Sequence, residues 1–272
     1  MAGIWQPIPI AVDIEGEVIS VQLAYGSVLV SGLPGEGKSG LLNMFAAVGA
    51  LDAERVDLHL FDSKEGVELS AWAGSATTFI GADPAAAASA LEGIVSRGRA
   101  RLQELRADGH RKVRPGQRVD LVVVDECDAL LNTGNKALDV RCFNALREIV
   151  TRFRAISTVL VLAVARPSSD VMSTSIRDLA KIRIAFRCAT AQSSDLVLGA
   201  GMAASGYSAA DIHPGRPGQC WIYASGVPQM ARTYWLDDEQ VARLADVAVN
   251  RRTRGAVAPF NQTDSVNGDH RE

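Results

Sequence analysis

The consecutive residues Gly32-Leu33-Pro34-Gly35-Glu36-Gly37-Lys38-Ser39 fit the pattern GxxxxGK[ST] at every position. That spacing suits phosphate chemistry. Gly35 and Gly37 let the backbone curl so that its N–H groups face phosphate oxygens. A helix beginning near Lys38, with Gly40 in its first turn, adds the positive end of its dipole. The Lys38 ammonium would reach the β and γ phosphates, and the Ser39 hydroxyl would ligate Mg²⁺. Gly32, Leu33, Pro34, Gly35, Glu36, Gly37, Lys38, Ser39 and Gly40 are the candidate nucleotide-binding residues.

Leu121-Val122-Val123-Val124-Asp125-Glu126 is an apolar run that ends in two carboxylates. Strand tips often end in acids, so alone this says little. Downstream of a complete phosphate loop it reads as the other half of one site. Asp125 would hold the Mg²⁺ shell, and Glu126 would orient and deprotonate the attacking water. Lys38, Asp125 and Glu126 are the candidate catalytic residues, and Ser39 and Asp125 the candidate metal ligands. The expected ligand is a nucleoside triphosphate with Mg²⁺.

Both motifs need strands to end at one edge of a sheet. The alternation Ile8, Ile10, Val12, Ile14, the turn Glu15-Gly16-Glu17 and the run Val18–Leu23 predict a hairpin. Ser27–Ser31, Val56–Asp62, Val119–Val124, Val159–Val164, Ile182–Cys188 and Gln219–Tyr223 read as strands. Leu41–Leu51, Pro84–Leu105 and Asn135–Arg154 read as helices, with apolar stripes on the last two. Continuous apolar strands alternating with helices predict an α/β fold with a mainly parallel sheet, covered by helices on both faces.

The 272 residues carry 28 Lys+Arg against 31 Asp+Glu, and 47% are hydrophobic. This is a globular composition that excludes a disordered or collagen-like chain. The near-neutral balance also excludes a protein that coats nucleic acid by bulk charge. Cys127, Cys142, Cys188 and Cys220 show no metal-binding spacing, so they read as buried apolar residues in a reducing compartment. The N-terminus has no signal-peptide pattern. The longest apolar runs fall well short of the roughly 20 residues that span a bilayer. A cytoplasmic protein is expected, with residues 253–272 a disordered polar tail.

Between Arg97 and Arg118 eight basic side chains stand against Glu104 and Asp108. Arg111, Lys112 and Arg114 lie in a Pro/Gly-containing loop there. They could contact nucleic-acid phosphates or simply form a solvated face. Lys136, in the small loop after Asp125-Glu126, and the hydroxyl-rich stretch 168–175 are further candidates for DNA contact.

The segments around these motifs resemble the FtsK/SpoIIIE DNA-translocase family. Phe61-Asp62-Ser63-Lys64-Glu65-Gly66-Val67-Glu68-Leu69 looks like the family's "D-x-K-x-G-x-E-L" segment. Asp125-Glu126 with Ala129-Leu130-Leu131 is similar to its Walker B continuation. Arg154-Ala155 through Arg166-Pro167-Ser168 runs without gaps beside "RAxGIHLxxATQRPS". Arg183-Ile184-Ala185-Phe186-Arg187 matches "RIAFRV", and Arg216-Pro217-Gly218-Gln219 resembles the closing section. The resemblance covers about residues 8–236. Its short lead-in and the Leu33-Pro34 wording look most like plasmid-transfer members from actinobacteria.

The resemblance implies a RecA-like P-loop ATPase motor over residues 1–252, using ATP and Mg²⁺. It implies a ring, usually a hexamer, with double-stranded DNA in the pore and hydrolysis at subunit interfaces. Arg183 and Arg187 are then candidates for arginines supplied in trans, or else structural ion-pair residues. A membrane anchor or a DNA-recognition subunit would come from another protein. Three departures stand out. The glutamine of "ATQRP" is Ala165, the glycine and histidine of "RAxGIH" are Ser157 and Val159, and Ser194-Asp195 replaces a serine–arginine pair. A nucleotide-gated assembly ATPase with poor turnover, or a protein-export motor of the same family, therefore remain alternatives to a DNA motor.

Overall fold

The structure is a computed structural model. It describes residues 3–64, 67–165, 167, 174–224 and 226–256, with side chains at 174–175 and 254–256 excepted. The chain runs β1 (Ile8–Asp13), β2 (Val18–Val21), β3 (Ser27–Ser31), α1 (Lys38–Leu51), β4 (Val56–Asp62), β5 (Thr78–Ile80), α2 (Pro84–Ala107) and β6 (Val119–Asp125). It continues through α3 (Cys127–Leu131), α4 (Lys136–Arg152), β7 (Val159–Val164), α5 (Thr174–Arg177), β8 (Ile182–Phe186), α6 (Ala191–Leu198), β9 (Gln219–Tyr223), β10 (Gln229–Thr233) and α7 (Asp238–Ala256).

All ten strands form one sheet in the order β2-β1-β10-β9-β8-β3-β7-β6-β4-β5. The six from β8 to β5 are parallel, and β3, β6 and β7 are buried along their whole length. Their β-branched runs are covered by helices on both sides, α1 packing with α7 and α2 with α4. That half matches the sequence expectation except for β5, whose three half-buried residues are too few to show a pattern. The other half is antiparallel: β9 pairs with β8, β10 with β9, and the expected hairpin β1–β2 joins through β10. β10, with the sequence QMART, has one buried position of five and no apolar run, so its place inside the sheet was not legible from pattern.

Helix ends follow their caps. Asp83 accepts from Ala85 N and Ala86 N at the start of α2, with Pro84 at the first helical position. Asn135 caps α4 in the same way. That helix stops at Arg152, two residues before the expected end, and a 3-10 turn over Phe153–Ile156 leads to Ser157. Ser157 has φ 55° and ψ 40° and accepts a hydrogen bond from Tyr25 N on its Oγ. It thus adopts the left-handed conformation that suits the glycine of the family pattern. All four cysteines are buried and unpaired, as expected. The last helix reaches Ala256, past the expected tail boundary, while the rest of that tail and most of the 168–175 stretch lie outside the described residues. Among the described residues no helix is long and apolar enough to cross a membrane.

Candidate nucleotide site

The loop between β3 and α1 is held in shape from outside. Leu33 N donates to Arg187 O at 2.8 Å, and Gly218 N donates to Glu36 O at 2.8 Å. Arg187 also binds the Glu36 carboxylate through Nε and Nη2, at 2.7 and 2.6 Å. Gly37, the residue before α1, has φ 118° and lies so close to its neighbours that a Cβ there would sit 3.0 Å from the Phe186 ring and 3.1 Å from the Gly218 backbone. Both its conformation and its space exclude a side chain. The loop is therefore clasped by the end of β8 and the turn before β9.

Lys38 is buried, and its ammonium donates to Gly32 O at 2.6 Å and Leu33 O at 3.1 Å. Burial holds its pKa below the usual lysine range. The nearby Lys64 ammonium pushes the same way, against the pull of Asp125, Glu126 and Asp128. Gly35, Gly37, Lys38, Ser39 and Gly40 line a cavity of about 840 Å³. Its far walls come from segments distant in sequence: Lys64 and Glu68 after β4, and Arg232 to Leu236 at the end of β10. Trp235, 73% exposed, lies over the first turn of α1 at Gly40.

Asp125 ends β6 directly opposite Asp62 at the end of β4. The two buried carboxylates differ. Asp62 is satisfied by Lys64 N and Leu69 N, at 3.1 and 2.8 Å. Neither oxygen of Asp125 has a hydrogen-bond partner among the described residues. Burial pushes the Asp125 carboxyl up to about 6; Lys64 opposes this, and Asp62, Glu126 and Glu68 add to it. Glu126 follows with φ 50° and ψ 59°, an uncommon conformation for a side-chain-bearing residue and one that recurs at functional sites. Its carboxylate pairs with Lys64 Nζ at 2.9 Å. Asp128, one turn on, has its carboxyl raised chiefly by burial, and its Oδ1 has no hydrogen-bond partner among the described residues.

The phosphate loop, Asp125 and Glu126 thus meet at one sheet edge, as the spacing predicts. Lys64, Asp128, Arg232, Tyr234 and Trp235 join them without having been singled out for chemistry. Only the position of Lys64 in a family-like segment pointed toward it.

The other candidates are dispersed. Arg183, near the start of β8, donates to Ala180 O, Leu198 O and Asp178 O and lies over the Tyr223 ring. Arg187 faces its own phosphate loop. Reaching a neighbouring subunit would cost either arginine these contacts. Ser194 and Asp195 are structural: Ser194 Oγ accepts from Ala209 N, and Asp195 accepts from Gly201 N and Ala203 N.

Arg111, Lys112 and Arg114 are exposed in the loop leading into β6, at the edge opposite the phosphate loop. Lys112 lies over the Tyr25 ring at 5.1 Å. Lys136 is exposed at the start of α4, on the phosphate-loop edge, so the structure does not unite it with the other three. Part of the basic segment is spent internally, Arg99 on Glu148 and Arg118 on Asp57.

Comparison with known proteins accords with this arrangement. The model of the FtsK/SpoIIIE family matches residues 5–201. The chain is 28% identical to the DNA translocase FtsK of Corynebacterium glutamicum, over 88% of this chain and 28% of that protein. It is 32% identical to that of Mycobacterium leprae, over 68% of this chain and 25% of that protein. The chain therefore spans about a quarter of the length of these relatives. Among solved structures, the monomer of the pCW3 conjugation coupling protein TcpA with ATPγS superposes with a TM-score of 0.76 at 21% identity, covering 91% of this chain and 71% of that one. The cytoplasmic domain of the Thermomonospora curvata type VII secretion ATPase EccC gives 0.73 at 20% identity, covering 91% and 31%. These likenesses establish the fold, that of P-loop ATPases. With the family match spanning most of its length, the chain belongs to the FtsK/SpoIIIE family.

Proposed function

We propose that this chain is the motor core of an ATP-driven translocase of double-stranded DNA, serving DNA transfer or segregation for a plasmid, integrative element or phage. The observation that carries the reading is the convergence of Lys38, Asp125 and Glu126 at one sheet edge in a chain of this family. The DNA translocase FtsK relatives supply the substrate class. Hydrolysis needs the β and γ phosphates on the loop N–H groups and Lys38, with Glu126 taking a proton from the attacking water.

Mg²⁺ fits the residues present. A buried carboxylate with no hydrogen-bond partner is what a cation would satisfy, and the Ser39 hydroxyl lies on the cavity wall. Among the described residues no cluster of three or more His, Cys, Asp or Glu could hold a metal. The ion would be held by Asp125 and Ser39 and completed by the nucleotide. When bound it would neutralise charge developing on the phosphates.

A homo-oligomeric ring, with the pore reached by Lys136 and with Arg111, Lys112 and Arg114 as a second DNA-contacting surface, belongs to this reading. So does a cytoplasmic location. Ala165 favours a second reading, a nucleotide-gated assembly ATPase of slow turnover, because it puts a methyl group just past β7 where the family pattern has a glutamine. Steady-state ATP hydrolysis with and without long double-stranded DNA separates the two. Several-fold stimulation supports the motor; slow turnover indifferent to DNA supports the switch.

A further inference from the structure

The site holds two lysines, and the phosphate-loop motif accounts for one. Lys64 lies just beyond β4, where the Asp62 carboxylate caps its backbone N–H. The Asn43 amide spans Ser39 O and Glu68 O, and its oxygen accepts from the Trp72 indole, so Glu68 and Trp72 are tied to α1. The Lys64 side chain lines the same cavity as Lys38 and Ser39. Its ammonium sits 2.9 Å from Glu126 and 3.8 Å from Glu68, while Glu126 is not itself a wall of the cavity. One flexible cation therefore links the candidate base to the space a triphosphate would fill.

We propose that Lys64 is a second phosphate-binding lysine: it neutralises Glu126 before nucleotide binds and transfers to the terminal phosphate of a bound triphosphate, releasing the Glu126 carboxylate. The inference rests on the nucleotide reading above and adds a residue to it. Three features favour exchange over a fixed ion pair. Side-chain exposures of 36% and 23% leave the Lys64–Glu126 pair in contact with water, where such a pair adds little stability and parts easily. A lysine is a compact charge on a mobile stem, able to swing where the planar fork of arginine would hold. A terminal phosphate brings more negative charge than a carboxylate and three acceptor oxygens. The transfer is a change of ionic partner with no covalent step. It makes exposure of the base depend on a triphosphate, since a diphosphate lacks the group that draws Lys64 away.

The test is equilibrium binding of ATPγS and of ADP, with Mg²⁺, to four proteins: the parent chain, Lys64→Ala, Glu126→Gln and the double variant. Lys64→Ala should weaken ATPγS about tenfold and ADP less than about twofold. Glu126→Gln should tighten ATPγS several-fold when Lys64 is present, because it releases the parked cation, and much less when Lys64 is absent. Equal losses for the two nucleotides, or a strictly additive cycle, would overturn the proposal while leaving the nucleotide site intact. A folded parent chain that bound neither nucleotide would overturn both. Should Lys64→Ala fold poorly, Lys64→Gln supports the same comparison.

Discussion

Glu36 and Arg187 stand 151 residues apart in the chain, yet both Nε and Nη2 of Arg187 bind one oxygen of the Glu36 carboxylate. The pair closes the phosphate loop onto the end of β8, beside the Leu33 N–Arg187 O hydrogen bond, while Gly218 N ties Glu36 O to the turn before β9. Removing it should loosen the loop without unfolding it. Arg187→Ala is predicted to raise the dissociation constant for ATP about three- to tenfold and to shift the melting temperature by only a few degrees. An arginine acting on a neighbouring subunit would behave otherwise, with binding kept and turnover lost. Calorimetric titration beside a turnover assay distinguishes the two.

Gly37 has a stricter constraint. Its φ of 118° and the 3.0–3.1 Å approach of a Cβ to Phe186 and Gly218 leave no strain-free alternative. Gly37→Ala is predicted to cost about 1–3 kcal/mol of stability and to abolish nucleotide binding, because the loop must open to admit the methyl group. Chemical denaturation and ATPγS titration measure the two effects.

Asp125 makes stability depend on pH. Burial pushes its carboxyl up to about 6 in the folded chain, above the ordinary 3.8. Between those values the folded state holds a proton that the unfolded chain has lost, so stability rises as pH falls through this window and is lowest above it. The full shift corresponds to about 3 kcal/mol as an upper bound. In chelator and without nucleotide, Asp125→Asn should raise the melting temperature near about pH 7 and leave it little changed near about pH 4. Parallel melting-versus-pH curves for the two proteins would contradict this picture of an unpartnered carboxylate.

Trp235 gives an optical reporter. It is the most exposed of the four tryptophans and forms a wall of the cavity beside the first turn of α1. A nucleotide whose phosphates sit on the loop would bring its base toward this aromatic wall, where stacking contributes about 1–3 kcal/mol. ATP is expected to quench the fluorescence, and Trp235→Phe to abolish the quench while leaving ATP binding largely intact.

What could be read from residue types depended on distance along the chain. The loop Gly32–Ser39 and the Asp125-Glu126 tip were legible because each motif lies within one strand–turn unit. Five of the six parallel strands were legible because burial on both faces makes them largely apolar runs; β5, three half-buried residues long, was not. The clasp of Glu36 by Arg187, the pairing of Lys64 with Glu126 and the Tyr234-Trp235 wall each join segments dozens of residues or more apart. No local periodicity encodes them. β10 escaped for a related reason. Its outward-facing residues are polar, so nothing in five residues distinguishes it from a turn, and only its neighbours β1 and β9 make it a strand. Arg99 and Arg118 looked like free surface charge until Glu148 and Asp57, on other elements, were placed beside them.

The proposed motor requires that one site, built from Lys38, Asp125 and Glu126, hydrolyse ATP in step with DNA. Its most direct test is steady-state ATP hydrolysis with and without long double-stranded DNA, with Glu126→Gln as the blank. The account predicts several-fold stimulation by DNA in the parent chain and turnover lowered at least about a hundredfold in the variant, which should still bind ATP. Normal hydrolysis by Glu126→Gln would contradict the assignment of the base. A parent chain that binds ATP but ignores DNA would contradict the motor.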